Sequence, residues 1–548
     1  MYAFPDRTRS AFPPIWPQYP YDETPPTPEQ SVPKYSIVTW PDLRAPMRDG
    51  VELAVDVYRP FGPGERFPAL LAWTPYTKLL QGSSVQLGQN EAGITEFWVP
   101  RGYVHVIADA RGTGDSGGKY DLLGPTEQHD IFDTINWIAE QPWCDGNVGM
   151  VGCSYFSMSQ MAVAPHRPPH LKAIFPYDGE TDLYREFFSR GGIPQGLWYV
   201  WVDTILTLQG SRTPDRSGIV QHLQDHLNLK YPLCGPYWEE RSASPRLDKI
   251  NIPCYFGCDW EFQEMHLRGA FESWERTKDI PKRMLIGPQI QPKRLFGGYA
   301  MEELRWYDHW LKGMDTRVME GPPIRLWIPG DNRWRAENEW PIARTQSREV
   351  YLAVSTRGLE GALKDQPGPD KSLQYTFDPH DLGVLRGEPK LIFRSDPFER
   401  DTEITGHIAL YLHASVNTPD TDFHVRILNE GSDGALRLLC KGGLRASHRE
   451  LDSERSRPWQ PYHPHTREVP LQPGEPFEFA IEMWPTSNVF KKGHKVRLEV
   501  GGSETLFEGL GLSRAGRFHA LPPPRPCTVT VLTGKSHLSR LLLPFIPR

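Results

Sequence analysis

The sequence has no long hydrophobic run, and this limits the classes of protein to which the chain can belong. No apolar stretch approaches the roughly 20 residues that a helix needs to cross a membrane. The N-terminal stretch, Met1 to Trp16, lacks the apolar core of a secretory signal peptide. We therefore expect a cytoplasmic protein that makes no contact with a membrane.

Cysteine is scarce, and its spacing argues against two kinds of site. The chain has seven cysteines, an odd number, and none of them forms a Cys-x-x-Cys pair. Such a set is not typical of a disulfide framework or of a structural zinc site. We therefore predict a reduced chain that binds no metal and no cofactor.

Neither sign of charge is in large excess. The formal net charge is -7, and the isoelectric point is about 6.2. Surfaces that bind nucleic acid or anionic membranes are typically basic, so neither is expected as a partner. The expected partner is a small-molecule substrate, and the sequence leaves open whether the chain forms a homo-oligomer.

The chain is long, and it is rich in proline and tryptophan. Its 548 residues exceed what one hydrophobic core can organise, so several domains are expected. The 54 prolines and 18 tryptophans favour a loop-rich architecture with surfaces lined by aromatic side chains.

Differences in pattern divide the chain into segments. Residues 1–34 are rich in proline and predict an extended N-terminal arm. Residues 35–180 and 247–318 alternate short apolar strands with helices, the pattern of an α/β domain with a parallel sheet. Residues 181–246 lack strand signals and predict a mostly helical cap above the sheet.

The C-terminal segment, residues 319–548, alternates apolar and polar residues with a period of two. Clear examples are residues 407–412, 423–427, 495–500 and 528–531. This period, without long helical patterns, predicts an all-β sandwich, most simply a jelly roll. Taken alone, such a domain could also bind carbohydrate, which is the alternative for this segment.

The strongest chemical signal lies between Asn147 and Gln160. A short apolar strand leads through Gly152 to Ser154, and a helix follows. This order is the context of a G-x-S-x-G nucleophile elbow, which exposes the serine oxygen above a sheet. The match is partial, because the last motif position holds Phe156 and the nearest small residue is Ser157.

A glycine-rich loop, Asp109 to Gly118, follows another predicted strand. Its spacing matches neither G-x-G-x-x-G nor a P-loop, and no Gly-Lys-Ser/Thr follows. Nucleotide binding is therefore not expected at this loop.

Further motifs are spread along the chain. They are Met47-Arg48-Asp49-Gly50-Val51, Thr74-Pro75-Tyr76, the Asp109–Gly118 loop, Gln141-Pro142-Trp143 through Gln160, Trp310-Leu311-Lys312-Gly313, Trp334, Trp340-Pro341, Asp420-Thr421-Asp422-Phe423 and Trp484-Pro485. Through these motifs the sequence resembles the cocaine esterase and X-prolyl dipeptidyl-peptidase family, which includes the α-amino-acid ester hydrolases. The resemblance covers nearly the whole chain after residue 35.

The resemblance implies an α/β-hydrolase domain with a helical cap and a C-terminal jelly roll. It implies acyl transfer from an ester or amide, with Ser154 as the nucleophile. It also implies an oxyanion hole formed by the hydroxyl of Tyr76 and the backbone N–H of Tyr155.

The position of the triad acid departs from the family pattern, which is usually Gly-Trp-x-Asp after a strand. Here the segment from Gly257 reads Gly-Cys-Asp-Trp-Glu, so the position of the acid holds Trp260. A one-residue bulge would bring in Asp259 or Glu261, and Asp259 is the preferred candidate.

The position of the triad base departs as well. The family motif Gly-Pro-Trp-x-His corresponds here to Gly287-Pro288-Gln289-Ile290-Gln291, which places Gln291 where the histidine is expected. A glutamine amide does not titrate near neutral pH and cannot take the proton of a serine. The sequence therefore predicts that the usual base is lost.

His266 is the candidate for a relocated base, because it follows the same strand end as Asp259. A structural role at the start of a helix is the competing and preferred interpretation. Glu180 and Asp182 follow a strand that points to the same end of the sheet, and a solvated loop is expected for both. His105 and His309 are expected to pack within their own elements, and His129, at the start of a helix, has no reason to reach the site.

Three functions follow from these residues. The predicted one is a hydrolase of the esterase, acylase or X-Pro dipeptidyl-peptidase type that uses Ser154 and a non-standard triad. The second is non-hydrolytic chemistry on a small molecule, such as acyl transfer, cyclisation or addition–elimination. The third is a catalytically degenerate binding protein, which the retention of Ser154 and Tyr76 disfavours.

Overall fold

The structure contains two large β-sheets, and each has its own hydrophobic core. The computed structural model describes residues 27–548, apart from residues 63, 83–90, 196, 210–212, 214, 261–264, 289–297, 356–358, 379–389 and 504–525.

The first sheet forms the centre of the N-terminal part. The strands of this part are β1 (Ile37–Pro46), β2 (Glu52–Pro60), β3 (Phe67–Thr74), β4 (Val104–Asp109), β5 (Cys144–Met150), β6 (Leu171–Ile174), β7 (Ser189–Arg190), β8 (Ile193–Pro194), β9 (Cys254–Asp259), β10 (Lys282–Gly287), β11 (Ile324–Ile328) and β12 (Arg333–Glu337). The order in the first sheet is β1-β2-β4-β3-β5-β6-β9-β10-β11-β12. The run from β4 to β11 is parallel, and β1, β2 and β12 pair antiparallel at the edges.

Helices cover this sheet and form the segment above it. They are α1 (Thr95–Trp98), α2 (Pro125–Glu140), α3 (Tyr155–Val163), α4 (Leu197–Gln209), α5 (Ser217–Leu227), α6 (Pro236–Arg241), α7 (Leu267–Arg276) and α8 (Ala300–Lys312). In α2 the apolar side chains of Ile131, Ile135 and Ile138 are spaced along one face of the helix and are buried. The predicted α/β class with a parallel sheet is confirmed.

Between β6 and β9 the chain leaves the sheet and forms a mostly helical segment, named the cap below. It starts with a π-helical turn at Leu183–Phe188, continues through the β7–β8 hairpin and contains α4, α5 and α6. Its buried aromatic rings pack on one another, with centroids 4.4–6.0 Å apart among Phe188, Trp198 and Trp238. This aromatic core accounts for part of the high tryptophan content.

The second sheet is confined to the C-terminal part. Its strands are β13 (Gln346–Val354), β14 (Glu360–Lys364), β15 (Lys371–Phe377), β16 (Lys390–Arg394), β17 (Thr402–Val416), β18 (Asp422–Glu430), β19 (Leu436–Arg445), β20 (Pro476–Phe490), β21 (Lys495–Gly501), β22 (Cys527–Thr533) and β23 (Arg540–Ile546). The order is β15-β22-β17-β20-β19-β18-β21-β16-β14-β13-β23, with a further pairing between β17 and β23. The predicted period-two strands lie in β17, β18, β21 and β22, so the β-rich C-terminal domain is confirmed, whereas its jelly-roll connectivity stays a prediction.

The boundary between the two sheets differs from the predicted one. The sequence pattern assigns everything beyond residue 318 to the C-terminal domain, but β11 and β12 belong to the first sheet. β11 pairs in parallel with β10, with Met284 opposite Ile324 and Ile286 opposite Leu326. Backbone pairing decides which sheet a strand joins, and a period of two does not show it. The other predicted boundaries stay predictions.

The predicted N-terminal arm is described only in its last residues, because residues 1–26 lie outside the described residues. The N–H and the hydroxyl of Ser31 donate to the buried carboxylate of Asp308 in α8, at 2.7 and 2.5 Å. The hydroxyl of Tyr103 donates to the same carboxylate at 2.7 Å. The described end of the arm therefore packs along the body of the protein.

The described residues hold no membrane-spanning helix, no disulfide and no metal cluster. In the described part of the chain, no helix is long and apolar enough to cross a membrane. All seven cysteines lie within this part, and each has a free thiol. Within the same residues, no group of three or more histidine, cysteine, aspartate or glutamate side chains could hold a metal ion.

Candidate active site

Ser154 lies in the sharp turn between β5 and α3. Its backbone has φ 60° and ψ −124°, values that a residue with a side chain holds only in a constrained turn, at a cost of about 1–3 kcal/mol. Gly152 has φ 118°, and a Cβ there would lie 2.4 Å from the carbonyl oxygen of Glu91, so only glycine fits. Because α3 begins at Tyr155, the first backbone N–H groups of the helix open next to the serine.

The partial match at the end of the motif has a physical reason. Phe156 occupies the last motif position and is buried in the core. The close approach that a motif glycine would allow is supplied from another segment, by Gly179 after β6. A Cβ on Gly179 would lie 2.2 Å from Ser157 Oγ. Gly179 therefore lets the loop of residues 177–181 lie against the first turn of α3.

Tyr76 follows β3 and packs against the two residues after the serine. Its ring centroid lies 6.1 Å from that of Tyr155 and 6.3 Å from that of Phe156. Its hydroxyl accepts a hydrogen bond from Trp201 Nε1 of α4 at 2.7 Å. A tyrosine hydroxyl that accepts one hydrogen bond can donate its own proton elsewhere, which an oxyanion donor must do. The cap therefore helps to position this hydroxyl.

The Asp109–Gly118 loop surrounds the side-chain carboxylate of its first residue, Asp109. Asp109 accepts hydrogen bonds from the N–H groups of Lys78 and Asp115, at 2.6 and 3.0 Å. A Cβ on Gly114 would lie 2.0 Å from Asp109 Oδ2, which accounts for the glycine without any phosphate. Burial raises the pKa of Asp109 to about 7. Since Lys78 lies just after β3, this loop also holds the segment that carries Tyr76.

A buried carboxylate, Glu127 in α2, holds the side chain of Tyr155. The Tyr155 hydroxyl donates to Glu127 Oε1 at 2.7 Å, and Trp73 Nε1 donates to the same oxygen at 2.8 Å. The Tyr120 hydroxyl in turn donates to the Tyr155 oxygen at 3.0 Å. Burial raises the pKa of Glu127 to about 7. This network fixes the residue whose N–H is the predicted oxyanion donor. No local sequence signal marks Glu127 as part of it.

The free energy of unfolding should depend on pH through the ionisation of the Glu127 carboxyl group. Its pKa is raised from 4.5 to about 7, so folding favours the protonated form. Glu127 therefore contributes stability that is fully present below pH 4.5 and is lost as the pH rises through about 7. Relative to Glu127→Gln, the free energy of unfolding should fall by up to about 3 kcal/mol over this interval. Urea unfolding of both proteins at several pH values checks this, and a difference that does not change with pH would contradict it.

Asp259 ends β9, and its carboxylate is fully buried. Its Oδ1 accepts a hydrogen bond from the Tyr177 hydroxyl at 2.6 Å. Trp260, at the counted position of the acid, donates its indole N–H to the carbonyl oxygen of Trp327 at 2.7 Å, so its side chain is part of the packing. Asp259 pairs in register with Gly287, the last residue of β10. The residues of this region that lie outside the described residues are Glu261, Gln289 and Gln291.

His266 and Glu180 form a buried pair. His266 Nδ1 lies 2.9 Å from Glu180 Oε1, and each side chain is 1% exposed. His266 has φ 66° and immediately precedes α7. The solvated loop expected for Glu180 and Asp182 is therefore wrong, since Asp182 is also buried and pairs with Arg185 at 2.8 Å. Nothing in the local sequence distinguishes these two carboxylates from exposed ones.

One loop connects this pair to the serine. The carbonyl oxygen of Tyr177 accepts the N–H of Ser154 at 3.2 Å, and Glu180 follows in the same loop. A Cβ on Gly269, in the first turn of α7, would lie 2.5 Å from the carbonyl oxygen of Gly179. The elbow, this loop and the start of α7 are therefore in continuous contact above the sheet.

Two family models match the chain. The X-Pro dipeptidyl-peptidase (S15 family) model matches residues 49–290, and the X-Pro dipeptidyl-peptidase C-terminal non-catalytic domain matches residues 316–513. The chain is also 28% identical to the cocaine esterase of Rhodococcus sp. (strain MB1 Bresler), over 94% of this chain and 99% of that protein. The chain belongs to the cocaine esterase and X-prolyl dipeptidyl-peptidase family.

Solved structures of similar proteins have the same fold. A CocE/NonD family hydrolase from Staphylococcus aureus superposes with a TM-score of 0.82 at 25% identity, covering 93% of this chain and 94% of that one. An α-amino acid ester hydrolase superposes with a TM-score of 0.73 at 19% identity, covering 96% and 100%, and shows the fold alone. The predicted α/β-hydrolase fold is confirmed, and this member of the family is a serine-type hydrolase that acts on ester or amide bonds.

Membership of this family does not show which residues act in catalysis. The positions of the candidate residues in the structure bear on that question. The structure brings Tyr76, Ser154 and Tyr155 together. Glu180 lies on the loop that accepts the Ser154 N–H, and His266 pairs with Glu180 from the start of α7. Asp259 lies at the neighbouring strand end, in contact with a tyrosine hydroxyl. The loss of the family's histidine at position 291 stays a prediction.

The two histidines assigned to packing have contacts of their own. His105 is buried in β4, where its ring nitrogens lie 3.0 Å from Thr95 Oγ1 and 3.0 Å from the carbonyl oxygen of Ala92. Burial lowers the pKa of His105 to about 4. His309 packs against the ring of Trp310 in α8.

Proposed function

We propose that this chain hydrolyses an ester or amide bond of a small molecule, with Ser154 as the nucleophile. The observation that carries the proposal is the strained elbow, which holds Ser154 at the start of α3. The backbone N–H of Tyr155 and the hydroxyl of Tyr76 supply two donors for the oxyanion that forms on attack. Each such donor typically contributes about 10²–10³ in kcat.

The base in this proposal is His266. Because its Nδ1 faces Glu180, its Nε2 is the nitrogen that takes the proton of a serine. The carboxylate holds the ring in that tautomer and stabilises the imidazolium that forms. The contacts that join the elbow to the start of α7 support placing this pair at the serine.

The reaction in this arrangement has two halves. Ser154 Oγ attacks the carbonyl carbon while His266 takes its proton, and His266 then returns the proton to the leaving alcohol or amine. Water attacks the acyl-enzyme with the same base, which releases the acid and regenerates the serine. The oxyanion donors stabilise the tetrahedral intermediate in both halves.

The cap favours a substrate with an apolar group near the scissile bond. Trp201 stacks on the ring of Tyr155, with centroids 5.8 Å apart, and packs on Phe187 at 5.0 Å. These rings lie over the side of the elbow that carries Tyr76. Aromatic walls with a few polar groups are the usual lining of small-molecule sites.

A second function is favoured by the surroundings of Asp259. In a triad the acid accepts a hydrogen bond from the imidazole, whereas here Asp259 Oδ1 accepts one from the Tyr177 hydroxyl. If the base is absent, the same oxyanion hole would polarise a carbonyl for acyl transfer or another non-hydrolytic reaction.

Covalent labelling tests the nucleophile. A fluorophosphonate probe should add one probe mass to the protein, and peptide mapping should place it on Ser154, because only an activated serine attacks phosphorus at a useful rate. Ser154→Ala should show no adduct, whereas Ser157→Ala, three residues further along in the first turn of α3, should label like the unmodified protein. Absence of an adduct at large probe excess would contradict the proposal and leave the non-hydrolytic and binding functions.

A further inference from the structure

A cavity lies between the cap and the C-terminal domain, apart from Ser154. Its volume is about 410 Å³, which falls within the range of small-molecule sites. The cap contributes Arg185 and Trp238, α7 contributes Arg276, and the C-terminal domain contributes Arg455 and Tyr462. No residue of the proposed catalytic group lines it.

The buried guanidinium of Arg185 carries a donor with no acceptor. Its side chain is only 9% exposed. Its two terminal nitrogens donate to Asp182 Oδ2 at 2.8 Å and to the carbonyl oxygens of His463 and Pro464 at 3.0 and 3.1 Å. Within the described residues, Nε has no hydrogen-bond partner. A buried donor without an acceptor costs about 1–3 kcal/mol, so it is a position at which a ligand acceptor would be stabilised.

Two further guanidinium groups face the same cavity. That of Arg455, at the rim, lies 3.7 Å above the Tyr462 ring, and among the described residues its guanidinium has no carboxylate partner. Arg276 is 35% exposed and uses one terminal nitrogen for Glu272 and Ser244, at 3.0 and 2.8 Å. Its remaining N–H groups give the cavity further donors.

Three carboxylates also line the cavity, and two of them accept hydrogen bonds within the protein. Asp182 accepts from the N–H and the guanidinium of Arg185, at 3.0 and 2.8 Å. Asp452 Oδ1 accepts from the N–H groups of Glu454 and Arg455, at 3.0 and 3.1 Å. Glu239 is exposed at the rim. Asp182 and Asp452 Oδ1 are therefore engaged within the protein and Glu239 faces solvent, whereas the Nε–H of Arg185 remains for a ligand.

We infer that this cavity binds a small molecule with a carboxylate or phosphate group. Guanidinium groups are suited to both anions, because their planar N–H pairs match two oxygens. The rings of Trp238 and Tyr462 supply an apolar wall for the rest of the molecule. An anion here would join Arg185 of the cap to Arg455 of the C-terminal domain, so its binding should stabilise the fold.

Thermal unfolding with inorganic phosphate and with succinate tests this site, with sodium chloride holding the ionic strength constant. At least one anion should raise the Tm in a saturable way. Arg455→Gln should weaken the apparent affinity at least tenfold, about the effect of one charge-assisted hydrogen bond. Arg467→Gln is the matched control, because it removes the same charge from an exposed residue that pairs with Glu450 outside the cavity.

A second, independent measurement tests where the anion binds. Cys234 lines the same cavity and accepts a hydrogen bond from Arg185 at 3.4 Å, so the bound anion should slow its alkylation by N-ethylmaleimide. Ser154→Ala should bind the anion with unchanged affinity, which separates this inference from the proposed catalysis. Equal Tm shifts in phosphate, succinate and chloride would overturn it. So would equal affinities of Arg455→Gln and Arg467→Gln, or a bound anion that leaves Cys234 alkylation unchanged.

Discussion

Replacing Ser154 with alanine is expected to lower kcat for a p-nitrophenyl ester by at least about 10³-fold. The oxyanion donors would remain, but no oxygen would be held where it can attack the carbonyl carbon. Residual turnover would come from the oxyanion hole and from binding, which leave a modest acceleration over water. Steady-state kinetics with purified protein measures the effect.

Ser157→Ala is the matched control for this loss. Ser157 lies in the same first turn of α3, it is buried, and its hydroxyl has no hydrogen-bond partner among the described residues. Removing this hydroxyl should therefore leave kcat within about twofold. A Ser154→Ala variant that keeps its activity would show that this serine is not the nucleophile. An equal loss in both variants would mean that the turn itself was damaged.

The fold can be predicted from the sequence largely because its signals are local. In α2 the spacing of Ile131, Ile135 and Ile138 marks a buried face before any partner is known. The exception is β11, Ile324–Ile328, which alternates like the strands of the C-terminal domain but pairs with β10. The period of a strand reports which face is buried, and it carries no information about the neighbouring strand.

The candidate site can be predicted only in part, because most of its contacts join distant residues. Ser154 and Tyr76 carry motif signals, so both are candidates from the sequence. Glu127 and Glu180 carry none, since a buried glutamate has the same local sequence as an exposed one. Their partners, Tyr155 and His266, come from other elements of the fold. Burial of a carboxylate is settled by tertiary packing, which the order of residues along the chain does not display.

His266→Gln is expected to lower kcat for the same ester by about 10²–10⁴-fold, the usual contribution of a general base. Glutamine keeps a polar side chain for Glu180 but cannot take the serine proton. Glu180→Gln should cause a smaller loss in kcat with little change in KM, because it acts only by orienting the imidazole. Thermal unfolding of both variants separates this role from a structural one. A His266→Gln variant that unfolds like the unmodified protein and keeps its kcat would remove His266 from the mechanism.

Gln291→His distinguishes a relocated base from a lost one. If His266 serves Ser154, a new imidazole at position 291 has no proton left to transfer and should change kcat less than twofold, well below the usual contribution of a base of about 10²–10⁴-fold. If the base is absent, the new imidazole would enter a site that keeps its oxyanion donors, and Asp259 beside Gly287 could orient it. Ester hydrolysis should then rise at least about tenfold. The two variants, assayed on one p-nitrophenyl ester, therefore give opposite patterns. A rise with Gln291→His together with no loss in His266→Gln would overturn the proposed base and favour the non-hydrolytic function.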